Sequence, residues 1–198
     1  LGPVDRAALL DLITGPAALA RLEFEERGSD KGWLPGLIAD DLSRIADGLP
    51  LLSFTLQRLY EACRAAEAGE DARLLTFQAY RAIGGVRHSL SQAAQQCQDA
   101  FERELGVDRA RTALAVILDA LSVVVEPGDR ELEGGTYLAA TVPRELLVAA
   151  DPAAADLIDA LIGSGVIVSD ADGIRVAHEV LFSAWATARE LLRESFAA

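Results

Sequence analysis

The 198-residue chain has no methionine, one lysine (Lys31), two histidines (His88 and His178) and two cysteines (Cys63 and Cys97). Each shortage removes a class of function. Two cysteines cannot build a disulfide framework and fit a reducing compartment. Two histidines and two distant cysteines do not supply the four ligands of a protein zinc site, so no metal is expected. His178-Glu179 opens like a zinc-protease helix motif, but Phe182 stands where the second histidine belongs. A phosphate-cradling loop requires Gly-Lys-Ser/Thr, whereas the only lysine lies in Asp30-Lys31-Gly32. Gly163-Ser164-Gly165 lacks the spacing of a nucleophile elbow. No catalytic residue is therefore expected. Apolar runs fall short of the ~18 residues of a membrane span, so no membrane partner is expected either. The missing methionine and the opening Leu1-Gly2-Pro3 read as an internal piece of a longer cytoplasmic chain, with no signal peptide on this piece.

What is abundant is alanine (36) and leucine (30), both strong helix formers, in a chain that is 51% hydrophobic and 25% charged. This predicts a mainly α fold with real cores. The formal charge of -13 opposes binding to a phosphate backbone or an anionic membrane surface. Asp5 and the trio Leu9, Leu12 and Ile13 predict a short helix that Gly15-Pro16 breaks, starting a second. A polar loop spans Gly28–Gly36, followed by a helix from Leu37 to Ala46. Asp47-Gly48 closes that helix, and Pro50 opens a long one on which Leu52, Leu56, Leu59, Cys63 and Ala66 share a face. Glu67 to Arg73 reads as a charged loop, Phe77–Ile83 as a short helix closed by Gly84-Gly85, and Ser89–Leu105 as another helix.

After Gly106, Asp108 is placed to cap a helix bearing Leu114, Ile117, Leu118, Leu121 and Val125, with a polar loop over Glu126–Gly135. Two short helices follow, one signalled by Thr141 and Pro143 and one by Asp151-Pro152. Val166-Ile167-Val168 and Ile174-Arg175-Val176 flank Asp170-Ala171-Asp172-Gly173 and predict a β-hairpin. Leu181, Trp185, Ala188, Leu192 and Phe196 then mark a final helix. The order helix, helix, helix, hairpin is that of a winged helix. Two domains are expected: a helical bundle over 1–105 and a winged helix over 106–198. The helix before the hairpin carries Asp156 and Asp159 and no basic or amide side chain, and residues 106–198 hold 7 basic and 15 acidic residues, a net of -8. Such a surface has no donors for base edges or phosphates, so no nucleic-acid partner is expected.

Three stretches together resemble a known family. They are Asp47-Gly48-Leu49-Pro50-Leu51-Leu52-Ser53-Phe54, Leu75-Thr76-Phe77-Gln78-Ala79-Tyr80 with Ile83-Gly84-Gly85-Val86, and Arg175-Val176-Ala177-His178-Glu179-Val180-Leu181 with Trp185. In this order they are similar to the region that follows the nucleotide-binding core in bacterial signal-transduction ATPases with numerous domains (STAND ATPases), and most of all to the novel class fused to β-propeller or helical repeats. Leu1-Gly2-Pro3 and Leu12-Ile13-Thr14-Gly15-Pro16-Ala17 resemble the segment leaving that core and the first lid helix. The resemblance covers nearly the whole chain. It implies a regulatory, non-catalytic lid plus winged helix that closes over ADP or ATP held by a P-loop core in cis. It also implies that sensor repeats further along the chain, in cis, supply the signal. No cofactor is implied for these 198 residues by themselves.

By the same resemblance, Gly48-Leu49-Pro50 is similar to the family's glycine-x-proline motif, whose proline packs by the adenine. His178 is similar to the histidine that opens the last winged-helix helix and touches the ADP phosphates, although Glu179 replaces the aspartate common in eukaryotic relatives. Read without the resemblance, Pro50 is an ordinary first-turn proline and His178 a strand-to-helix cap or a hydrogen-bonded buried histidine. His88 reads as surface, Cys63 and Cys97 as small core residues, and Trp185 as the anchor of the last helix. A winged helix used for protein contacts is the alternative function, and a transcription regulator is disfavoured by the acidic reading helix.

Overall fold

The computed structural model describes residues 5–26, 32–45, 48–66, 73–125 and 136–197. Within them the chain is mainly α, with ten helices and three two-stranded sheets. Leu1-Gly2-Pro3, Lys31, Asp47, and the loops over 67–72 and 126–135 lie outside the described residues. The chain divides into two compact units, Leu1–Leu90 and Ser91–Ala198. The division falls inside one long helix, whereas a boundary at 105/106 assigns that whole helix to the first unit.

The first unit holds α1 (Arg6–Leu19), β1 (Glu23–Phe24), α2 (Leu34–Leu42), α3 (Leu49–Ala66), β2 (Leu74–Leu75), α4 (Phe77–Ala82) and the start of α5 (Gly85–Leu105). Contrary to expectation, α1 runs unbroken through Gly15-Pro16. Leu9, Ile13 and Ala17 recur every four residues and are all buried. A proline inside a helix costs ~3 kcal/mol, and burying an aliphatic side chain of the size of Leu9 or Ile13 contributes ~1.5–3 kcal/mol each, so the buried face outweighs the break. Asp5 sits at the N-cap position but its side chain makes no capping bond. Pro35 lies in the first turn of α2, which is why that helix starts at Leu34 and not at Leu37. Residues of β1 and β2 pair in parallel, Glu23 with Leu74 and Phe24 with Leu75. That pairing brings Glu25 to α4, where its Oε2 accepts from the Phe77 N–H at 2.7 Å while Thr76 Oγ1 accepts from the Ala79 N–H at 3.1 Å. Two free N–H groups of α4 are thereby satisfied.

The second unit holds the rest of α5, then α6 (Val107–Ala120), β3 (Ser122–Val125), β4 (Thr136–Ala139), α7 (Arg144–Ala150), α8 (Ala154–Gly163), β5 (Ile167–Ser169), β6 (Ile174–Val176), α9 (Val180–Ala184) and α10 (Ala186–Ala197). Its core joins Leu114, Ile117 and Leu118 of α6 to Leu157, Ile158 and Leu161 of α8, with Ile174, Leu181 and Leu192 also buried. Two expectations are corrected. The helix expected to carry Val125 ends at Ala120, and the β-branched run Val123-Val124-Val125 forms β3, antiparallel to β4 with Val123 opposite Leu138. The final helix is two helices, because Trp185 takes an extended conformation (φ -89, ψ 119) between α9 and α10. Its buried indole Nε1 donates to Gln95 Oε1 at 2.9 Å, so the break seats the ring where its N–H has a partner.

The expected hairpin is present as β5–β6, with Ile167 opposite Val176 and the Asp172 N–H donating to Asp170 Oδ1 in the turn. Val142, just before α7, bridges antiparallel to Ile174 and extends this small sheet by one residue. Gly173 makes the approach possible. It sits at φ +142, and a Cβ there would lie 2.4 Å from the Val142 carbonyl oxygen.

Candidate functional site

At the α2–α3 junction the chain turns on Gly48, which is buried and whose carbonyl accepts the first intrahelical bond of α3, from the Leu52 N–H at 3.2 Å. A Cβ at Gly48 would lie 2.8 Å from Leu42 Cδ1 and 3.3 Å from both Ile45 Cβ and the Ile45 carbonyl oxygen. Glycine lets the chain pass this close to Leu42 and Ile45 without either giving way. Leu49 (42% exposed) and Pro50 then stand in the first turn of α3 facing solvent. At that position proline gives up no helical hydrogen bond. The exposed leucine branch and proline ring form a small apolar edge.

His178 occupies the turn between β6 and α9 and is 9% exposed. Its Nδ1 accepts from the Val180 N–H at 3.1 Å, and the Leu181 N–H donates to the His178 carbonyl at 3.1 Å. A nitrogen that accepts carries no proton, so in this arrangement the neutral ring holds its hydrogen on Nε2. Glu179 Oε2 lies 4.0 Å from Nδ1. The histidine thus caps a helix of five residues, where the spacing of Leu181 to Phe196 predicts a single longer one. Tyr137 packs its ring against Phe182 of the same helix at 6.1 Å between centroids. Gly48 and Pro50 belong to the first unit and His178 to the second.

Two polar clusters join partners that the sequence does not pair, although Asp151 reads there as a helix-start signal and Tyr80 falls within a stretch that carries the resemblance. In the first unit the Tyr80 hydroxyl donates to Asp41 Oδ2 at 2.8 Å and accepts from the Val86 N–H at 3.3 Å. Burial, and then the hydrogen bond and charge of Asp41, push the Tyr80 phenol well above its ordinary value. In the second unit Asp151, its side chain 7% exposed, accepts through Oδ1 from Arg109 at 2.7 Å and from the Ala153 N–H at 3.0 Å. Its Oδ2 is buried with no hydrogen-bond partner among the described residues. A single tyrosine or aspartate has no periodicity to read, so only the assembled fold reveals these ties.

Among the described residues no three His, Cys, Asp or Glu side chains gather as a metal site, and no helix is long and apolar enough to cross a membrane. The outward face of α8 presents Asp156 and Asp159, and Arg144 is held on Asp159 by two bonds of 2.9 Å. A family model described as Novel STAND NTPase 1 matches residues 1–198. No curated protein and no solved structure matches the chain.

Proposed function

The chain belongs to the Novel STAND NTPase 1 family, and from that premise we propose that it is the regulatory, non-catalytic lid and winged helix of a switch ATPase. In this reading it closes over ADP or ATP bound by a P-loop core in cis and releases when sensor repeats in cis detect a signal, so that a nucleotide-biased two-state element relays the change. The observation that carries the reading is the α2–α3 junction. Gly48 packs tightly there against Leu42 and Ile45, just ahead of the exposed Leu49-Pro50 edge, and by the family resemblance that edge is read as the glycine-x-proline motif that meets the adenine. The order α6, Val142 bridge, α7, α8, β5, β6 supports a winged helix in the second unit. By the resemblance, His178 is assigned to the nucleotide phosphates in the resting state, whereas the Val180, Leu181 and Phe182 N–H groups after it already donate within the turn. The chain itself supplies no phosphate-cradling loop, its one lysine being followed by glycine.

The test uses the full-length protein. With His178→Ala, bound ADP after purification is expected to fall and signal-independent activity to rise. One charge-assisted hydrogen bond is worth ~1.5–3 kcal/mol, which shifts a two-state ratio tenfold or more. The melting temperature checks that the fold survives. Unchanged ADP occupancy in a folded variant reduces His178 to the cap of α9. The alternative, a winged helix used for protein contacts, draws on the cross-strand pair Val123 and Leu138, which are 51% and 47% exposed on the β3–β4 hairpin. Retention of nucleotide by Pro50 and His178 variants alike favours it.

A further inference from the structure

A cavity of about 480 Å³ lies in the first unit among α1, α2 and α4, and neither Gly48 nor Pro50 lines it. Phe77, Trp33 and Leu37 line it with apolar surface, and Arg6, Arg81 and Asp40 bring its charges. Phe77 is buried, whereas Trp33 is 40% exposed, so part of an indole remains open to an arriving ligand. The Arg6 Nε donates to Asp40 Oδ1 at 2.9 Å, which leaves the two terminal nitrogens of that guanidinium as further donors. Arg81 adds a second cation. Among the described lining residues two cations stand against one anion, in a chain whose formal charge is -13. Backbone groups at the start of α2 contribute nothing to an anion here. The Gly36 and Leu37 N–H groups donate to the Trp33 carbonyl, the Leu34 N–H donates to the Glu25 carbonyl, and Pro35 has none.

We propose that this pocket binds a small planar aromatic anion, a ring with one carboxylate or phosphate group. The ring stacks on Trp33 and rests against Phe77 and Leu37, and the anionic group is held by Arg81 and the free arm of Arg6. Both parts of the ligand are required. An indole face and apolar walls reward a ring, and paired guanidiniums reward a planar or tetrahedral anion through forked hydrogen bonds. The cavity is in the range of small-molecule sites. A ligand of about ten heavy atoms reaches only about millimolar affinity in such a site.

The experiment follows the two indole N–H signals of the 198-residue chain by NMR, assigned with Trp33→Phe, while phenyl phosphate is added. Trp185 is the internal control because it is buried in the second unit and bonded to Gln95. The Trp33 signal is expected to move saturably and the Trp185 signal to stay. Inorganic phosphate and benzyl alcohol, each lacking one half of the ligand, are expected to shift Trp33 several-fold less at equal concentration. Arg81→Ala is expected to weaken phenyl phosphate at least tenfold, and Asp40→Asn, which removes the repelling carboxylate, to tighten it. A Trp33 signal that does not move, one that moves together with Trp185, or equal response to inorganic phosphate overturns the proposal. So does an Asp40→Asn variant that is folded by melting temperature and binds more weakly.

Discussion

The two units solve the same problem, tying helices together through polar groups, with different chemistry. The first buries hydroxyls at these ties, alongside the exposed Arg6–Asp40 pair between α1 and α2. Thr55 and Ser89 meet at 3.1 Å in full burial, and Tyr80 connects Asp41 of α2 to the start of α5. The second uses ion pairs. Arg109 binds Asp151, Arg144 binds Asp159, and Arg111 reaches Glu190 and Glu194. The neutral Thr55–Ser89 bond is indifferent to salt, whereas the exposed ion pairs are screened by it and each holds little free energy. Asp151 is the exception, since its carboxylate is buried with one oxygen unmatched. The stability of the second unit therefore rests on its apolar core and its tryptophan anchor more than on the number of its ion pairs.

The strongest way to break the comparison is Trp185→Ala. It removes a buried aromatic side chain and strands Gln95, and it is expected to cost ~3–5 kcal/mol in the second unit. Chemical denaturation monitored by the remaining Trp33, which reports on the first unit, shows whether the loss stays local. A smaller effect is expected from Tyr80→Phe, ~1–3 kcal/mol, because Asp41 and the Val86 N–H each lose a partner. This variant also carries a pH signature. The folded phenol is raised above its ordinary value of 10.0, so its contribution is complete below pH 10.0 and is lost as pH climbs from there towards the raised folded value. Wild-type melting temperature should fall over that alkaline range more steeply than that of Tyr80→Phe. Equal slopes assign the alkaline loss to other groups.

Gly48→Ala comes next. The new methyl meets the mobile end of Leu42 but also the Ile45 backbone oxygen, and overpacking of this kind costs ~1–3 kcal/mol. The same variant displaces Pro50, so ADP retention in the full-length protein should fall along with the melting temperature. Smallest is Arg111→Ala. Glutamates on α10 hold this guanidinium at the surface and raise its pKa, yet its removal should leave the melting temperature at physiological salt indistinguishable from wild type. A clear drop would mean that surface pairs do support the second unit.

How far the sequence foretold the fold depended on whether local signals competed. At α3, α4, α7, α8 and the β5–β6 hairpin, periodicity, caps and turn residues agree, and the elements appear where they were expected. At Val125 they conflict. It lies four residues after Leu121 and continues the helical face, but three successive valines favour an extended chain, and pairing with Thr136–Ala139 across ten intervening residues outside the description settles the competition. At Pro16 the conflict runs the other way, with tertiary burial overriding a local breaker. The spacing of Leu181, Trp185 and Ala188 suits one continuous helix, and only the distant Gln95 explains the break. Of the site, Gly48 was recognisable as a motif, but the reason for it, the approach of Leu42 and Ile45, belongs to three dimensions. Trp33 and Arg81 lie far apart in sequence, so the pocket they share had no linear signature.

The close approach at Gly173 also bears on the order in which the second unit assembles. The β5–β6 hairpin closes over a four-residue turn, whereas the Val142–Ile174 bridge joins strands separated by roughly thirty residues and must await a costlier loop closure. The shorter closure favours the hairpin forming before the segment ahead of α7 docks on it, and the backbone at Gly173 is the berth. A side chain at this position obstructs the docking step and also strains the turn at φ +142, so its cost falls on the hairpin as well as on the bridge.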